Sequence, residues 1–366
     1  MITKLDWYIL RKFFTTFFFC MIGFTIIAVA VDSSEKTDDF VKTGLSTRQI
    51  ISEYYVGFVP YIWGLLYPLF VFIAVIFFTS RMALRSEIIA MLANGITYNR
   101  WLRPYVIGGL VFAVGLWVTG AFWIPKANEI RSSFQTTYID KNDPTKSANQ
   151  GGCYNCYYLR LDSNSYVGII GFDTATKSAR NFFMQKVRNN QVYYNLRADQ
   201  IQWNDSSKTW KLTNAVERRI DSSREVITKQ PLMYLNMKIR PGELRKDDYL
   251  KDKLTTPELR SFITTEEARG REGLNTLKVE MYRRTAGAFS VFLLTMIGAV
   301  LAGRKTRGGG GLHMALGIVI AVTFILFDRF STVFSIKGNF PPLLAAWTPN
   351  LLFSLIAVYL YVKAPK

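Results

Sequence analysis

Arg85-Ser86-Glu87-Ile88-Ile89-Ala90-Met91-Leu92-Ala93-Asn94-Gly95 lies between two hydrophobic runs, each long enough to span a bilayer. The stretch predicts a short helix. Ser86 can cap it, Glu87 suits its positive first turn and Gly95 suits its stop. Ile88, Met91 and Leu92 then share one face at i, i+3, i+4 spacing. A short apolar-faced helix in a basic loop reads either as a handle for a soluble partner or as an interfacial helix resting on lipid headgroups. The surrounding chain has to decide between them.

Working outward, six apolar runs approach the length of about 20 residues that a membrane helix needs. Trp7 to Val31 is the first, Val56 to Thr79 the second, with Pro60 and Pro68 as possible bends, and Leu102 to Ile124 the third, closed by Pro125. A long polar segment follows. Thr285 to Ala302, Leu312 to Phe334 and Leu343 to Val362 are the fourth to sixth. The first run is too long for a signal-peptide core and is followed by Asp32, so it reads as a retained helix.

The chain of 366 residues is 49% hydrophobic and carries a net charge of +18. In a soluble protein that charge would suggest nucleic acid. Beside six spans it sets topology and attracts anionic lipid instead, and no nucleic-acid partner is expected. Lys4, Arg11, Lys12, Arg81, Arg85, Arg100, Arg103, Arg304, Lys305, Arg307, Lys363 and Lys366 fall on one side. The short opposite loops carry Asp32, Glu35, Asp38, Asp39 and Glu53 against Lys36, Lys42, Arg48 and Lys337. The positive-inside rule therefore predicts cytoplasmic termini and an external polar segment.

That segment reads as β structure. Tyr157–Leu161, Ser165–Gly171, Asn181–Val187, Gln191–Leu196, Thr209–Leu212 and Glu225–Ile239 are β-prone, with Gly, Asn, Asp and Ser between them. Regular spacing suggests a sandwich or open barrel. From Thr256-Pro257-Glu258 the pattern turns helical, with Thr256 as the expected cap. Cys153 and Cys156 read as a local disulfide or two idle thiols, and Cys20 as a packing residue. The single histidine, His313, is too distant to complete a zinc site with them. Gly298 to Thr306 nearly spells a phosphate loop, but it closes an apolar span instead of joining a strand to a helix, so no nucleotide site is expected.

These residues resemble a known family, the lipopolysaccharide-export permeases LptF and LptG. Leu5-Asp6-Trp7-Tyr8-Ile9 resembles its amino-terminal signature, and Arg85 to Gly95 its ATPase-coupling helix. Pro125-Lys126-Ala127-Asn128 resembles the exit from the third span. Gly338 to Pro342 with Ala345 to Asn350 resembles the start of the sixth. The resemblance implies an α-helical membrane protein with six transmembrane helices and an inserted periplasmic all-β domain, a β-jellyroll. It divides the chain into spans one to three (1–125) with a cytoplasmic coupling helix at about 86–95, the jellyroll and connecting helix (126–278), and spans four to six (279–366). It implies a permease subunit of an ABC transporter in the bacterial inner membrane that takes lipopolysaccharide to a periplasmic bridge protein. The partners implied are an ABC ATPase dimer, which binds ATP and Mg, and a second homologous permease subunit; no cofactor is implied in this chain. Spans one and five would be lateral gates. Some members carry a basic residue in the outer part of the first span, whereas Ile26 to Val31 is wholly apolar here.

The expected ATPase-coupling residues are Glu87, Ile88, Met91, Leu92 and Gly95. Arg283 and Arg284 stand where the positive-inside trend would not put them. They are candidates either for a lipid phosphate or for an ion pair with Glu280 at i,i+3 and i,i+4. Asp328 and Arg329 interrupt the fifth span, where isolated charges cost at least about 2.5 kcal/mol each; they are expected to face protein, water or the interface. Lys36, Lys126 and Arg131 are further lipid-phosphate candidates, with solvated surface charge as the alternative. Tyr158, Ile169, Phe182 and Met184 are expected inside the β domain, as ordinary core or as a slide for acyl chains; Phe172, Tyr194 and Ile201 share that expectation. A membrane-anchored tethering or assembly protein is the competing function. An intramembrane enzyme ranks below both, because no nucleophile–base set stands out.

Overall fold

The computed structural model describes residues 3–140, 157–304 and 310–364, apart from 163, 174–175, 190, 222–223, 238, 240, 242–248, 270–272 and 339. Cys153, Cys156, Lys305, Arg307 and Lys366 lie outside the described residues. The chain divides into one unit of residues 1–141, 251–260 and 275–366 and a second of 142–250 and 261–274.

The first unit is helical. Its elements are α1 (Lys4–Glu35), α2 (Thr37–Thr43), α3 (Thr47–Ile50), α4 (Val56–Leu84), α5 (Glu87–Ala93), α6 (Tyr98–Val118) and α7 (Ile124–Phe134). After the sheet come α8 (Leu250–Lys253), α9 (Thr256–Ala268), α10 (Asn275–Ala302), α11 (Gly310–Gly338) and α12 (Pro342–Val362). Six helical stretches among the described residues are long and apolar enough to cross a membrane: Lys4–Glu35, Thr47–Leu84, Tyr98–Ile139, Asn275–Ala302, Gly311–Gly338 and Pro342–Val362.

The helix does not stop at Pro125, where the third apolar run closes. A π-helical turn at Thr119–Trp123 leads into α7, so Pro125 falls in a first turn where its missing N–H leaves no bond unmade. The same device, a π turn at Ile51–Tyr55, joins α3 to α4.

Aromatic packing holds the bundle together at the end that carries Lys4, Arg81 and Arg100. Phe13 of α1 lies 5.5 Å from Phe78 and 4.8 Å from Phe112, centroid to centroid, fastening α1 to α4 and α6. Ile9, Phe13, Val71, Met82, Trp101 and Tyr105 are fully buried in one cluster. A second cluster of Phe72, Ile76, Leu294, Ile297 and Phe353 joins α4, α10 and α12.

The second unit takes in residues 261–268 of α9 and an antiparallel sheet of six described strands in sequential order: β1 (Tyr157–Asp162), β2 (Ser165–Asp173), β3 (Ser178–Arg188), β4 (Gln191–Asn204), β5 (Thr209–Asp221) and β6 (Arg224–Leu235). Side chains alternate between its faces. Ile169, Leu196, Ile201, Trp210 and Leu212 are fully buried on one face, with Phe172, Phe182 and Met184 beside them. Trp210 donates its Nε1–H to the Ile239 carbonyl at 2.9 Å, which draws the segment after β6 onto that core. Gly168 leaves room for a neighbour: a Cβ there would lie 2.1 Å from the Phe183 ring.

The cap of α9 is Thr255, not Thr256. The Glu258 carboxylate accepts from the Thr255 N–H at 2.9 Å and from its hydroxyl at 2.6 Å, and these two bonds hold Glu258 below the usual carboxylate range. Thr256 is instead drawn to an arginine described below.

Candidate functional site

At the end bearing Lys4, Arg81 and Arg100, α5 follows a turn in which Ser86 sits at φ 61°, in the left-handed region. Ser86 holds the expected cap position, but its side chain makes no capping bond, because that backbone points it away from the first-turn N–H groups. Gly95 closes the helix at φ 80°, as its identity predicts.

The apolar face of α5 is turned inward. Ile88 is 2% exposed, and Met91 and Leu92 pack on the same cluster as Phe13 and Trp101. These residues anchor the helix, so the outward face belongs to others. Ile89 is 48% exposed and Leu84, just before the turn, 44%. The periodicity was sufficient to find the face but not to say which side of it meets the bundle.

Glu87 is held within the chain. It accepts from Lys12 Nζ at 3.0 Å and from the Tyr8 hydroxyl at 3.0 Å, and Lys12 also bonds to Tyr8. One turn nearer the amino terminus, the Asp6 side chain is fully buried and takes a two-pronged bond from Arg100, at 2.7 and 2.9 Å. Asp6 also accepts from the Thr3 N–H at 2.8 Å, which starts α1. The Leu5–Ile9 motif thus has a structural reason: Asp6 binds α6, Tyr8 binds α5 and Ile9 enters the core.

A second cluster lies at the opposite end of the helical unit. A cavity of about 340 Å³ is lined by Tyr61, Leu65, Asn128, Arg283, Asp328 and Asn350 among others. Arg283 meets Asp328 at 2.8 Å and Glu280 only at 3.9 Å, so its principal partner is on α11, a pairing that linear spacing cannot reveal. Arg284 donates to Thr256 Oγ1 at 3.0 Å and to the carbonyls of Lys251 and Leu254 at 3.1 and 2.9 Å. Glu280 stands 3.8 Å from it. Burial, reinforced by nearby Glu280, pushes the Asp252 carboxyl up. Arg329 is exposed and lines the same cavity.

The remaining cations divide similarly. Lys36 is paired with Asp32 at 2.9 Å and bonded to Tyr54, which ties α1 to the π turn before α4. Tyr54 in turn donates to Asp32 at 3.1 Å. Arg131 lies over the Tyr61 ring, 3.9 Å from its centroid. Lys126 is exposed.

In the sheet, Ile169, Phe182 and Met184 are buried as expected, and Tyr158 is not. It is 63% exposed, opposite Gly168 and 6.2 Å from the Phe183 ring, while Tyr157, opposite Ile169, takes the inward place. Two adjacent tyrosines leave that choice to the register of the pair.

Three candidate spans, a sheet unit and three further candidate spans, with a short helix between the second and third, fit the class of polytopic membrane proteins. The chain belongs to the LptF/LptG family: the family model described as lipopolysaccharide export system permease LptF/LptG matches residues 7–363. No curated protein matches the chain. Family and spans together fit a multi-pass inner-membrane protein that is a permease of the lipopolysaccharide export system.

Proposed function

We propose that this chain is the membrane subunit of an ATP-driven ABC exporter that extracts lipopolysaccharide from the inner membrane and passes it to a periplasmic bridge protein. ATP and Mg are bound by a separate dimer of soluble ATPases, and a second homologous permease subunit completes the transport path. The reading is carried by a family match that includes α5 and all six candidate spans.

Both termini and α5 face the cytoplasm, and the sheet, as the family's β-jellyroll, faces the periplasm. The clustering of basic residues at the α5 end supports that orientation. The ATPase meets the outward side of α5, around Leu84, Ile89 and the loop to Gly95. Glu87, Ile88, Met91 and Leu92 hold the helix in place beneath it. At the periplasmic end, exposed Lys126 and Arg329 contact lipid phosphate, whereas Lys36, Arg131, Arg283 and Arg284 hold the structure around them. A 28-residue α10 rises about 42 Å against a hydrocarbon layer of about 30 Å, which supports an interfacial depth for Arg283 and Arg284. Ile169, Phe182 and Met184 form the packed core of the sheet unit, and acyl chains would reach them only where that core opens.

Co-expression with an ABC ATPase and a second permease, followed by reconstitution, tests this reading. The expected result is a co-purifying complex whose ATP hydrolysis rises with added lipopolysaccharide. A chain that is stable alone, binds no ATPase and leaves hydrolysis unaffected by the lipid would establish the tethering function instead.

A further inference from the structure

We infer that Tyr8 and Lys12 are positioning residues through which α5 moves the first membrane helix directly. The inference rests on the proposed coupling of α5 to an ATPase, and it concerns where the displacement goes next. Lys12 and Tyr8 belong to α1, and both bond to Glu87 in the first turn of α5. The Lys12 ammonium also lies 4.1 Å from the centre of the Tyr8 ring, which fixes the two side chains together.

The contact does not stand alone. At the start of α6, Arg100 grips fully buried Asp6, nearly two turns before Lys12 is reached. Beneath α5, Ile88 shares a buried cluster with Ile9 and Phe13. α5 is therefore fastened to α1 by one apolar and one ionic contact, and the start of α6 by a second ionic contact, all within the first three turns of α1. A push on the outward side of α5 is carried into α1 as a rigid displacement.

From there α1 delivers it to the other end of the bundle. Trp63 of α4 donates to Thr25 at 2.8 Å, and the Asp32–Lys36–Tyr54 group ties the last turn of α1 to the start of the second span. Glu87 thus has an intramolecular task. A cation offered by the ATPase would have to share this carboxylate with Lys12 or displace it.

The test uses the reconstituted complex with its ATPase and second permease, and lipopolysaccharide as cargo. Lys12→Met and Tyr8→Phe are compared with wild type for ATPase co-purification, ATP hydrolysis and lipid transported per ATP consumed. We expect both variants to bind the ATPase and to hydrolyse ATP within twofold of wild type. Lipid moved per ATP should fall at least fivefold in Lys12→Met, with Lys12→Arg restoring most of it. Unchanged transport per ATP in Lys12→Met overturns the inference. So does a loss in which hydrolysis and transport fall in proportion, or a failure of Lys12→Arg to restore coupling. A wild-type chain that binds no ATPase would defeat the underlying functional reading instead, so the two failures are separable.

Discussion

Arg283 and Asp328 show how much a single pair can decide. Their 2.8 Å contact joins α10 to α11, and side-chain exposures of 28% and 16% leave both charges largely out of water. A buried ion pair contributes little net stability over an apolar replacement, but a broken one leaves a stranded charge. Arg283→Leu should therefore lower unfolding free energy in mixed micelles by about 3 kcal/mol, whereas Arg283→Leu with Asp328→Leu should return close to wild type. A single variant within 1 kcal/mol of wild type, or a double variant no better than the single, would show that the pair does not hold these helices together. The arginine beside it works differently. Arg284 spends its donors on Thr256 and two backbone carbonyls, fixing the segment that leads into α9. Two consecutive arginines thus have separate partners at least 28 residues away in sequence, and neither is principally paired with the nearby Glu280 that helical spacing offers.

For an element, the informative contrast is between adjacent residues on α5. Ile88 is 2% exposed and Ile89 is 48% exposed, although both are isoleucines in the same short helix. Truncating the buried one removes core contacts and leaves a cavity, so Ile88→Ala should cost about 2–5 kcal/mol in unfolding experiments. Ile89→Asp should leave unfolding nearly unchanged while lowering ATPase co-purification at least tenfold. If both changes act equally on stability, the assignment of inner and outer faces is wrong. The existence of α5 was legible because capping residues, spacing and Gly95 are local signals. Its facing was not, since only the aromatic cluster around Phe13 and Trp101 determines which side is covered. The same division runs through the other elements. All six described strands were marked by β-prone residues and turns, but the inward place of Tyr157 instead of Tyr158 follows from its pairing with Ile169. The third span was visible as an apolar run, while the continuation of its helix past Pro125 depends on a π turn that no local composition announces. Candidate sites were hardest to read for this reason: charges were easy to find, and their partners lie on other helices.

At the scale of the whole molecule, the distribution of charge makes the strongest physical argument. Arg81, Arg85, Arg100, Arg103 and Arg304 flank spans in short connections, where basic residues govern insertion. Acidic Asp32, Glu35, Asp38, Asp39 and Glu53 accumulate at the other ends of the first two spans. Carrying the arginine-rich loops across the bilayer would oppose both the insertion preference and the potential across the membrane, which costs about 2.3 kcal/mol per charge at 100 mV. Reversing the chain would thus penalise every one of its basic connections together. This orientation can be read with two exposed positions, Asn94 after α5 and Ser207 in the turn before β5. In a chain whose own cysteines have been replaced, Ser207→Cys should react with a membrane-impermeant maleimide added to intact spheroplasts. Asn94→Cys should react only after permeabilisation. Labelling in the opposite order would invert the protein and place α5 beyond the reach of any cytosolic ATPase, removing the geometric basis for energy entering there.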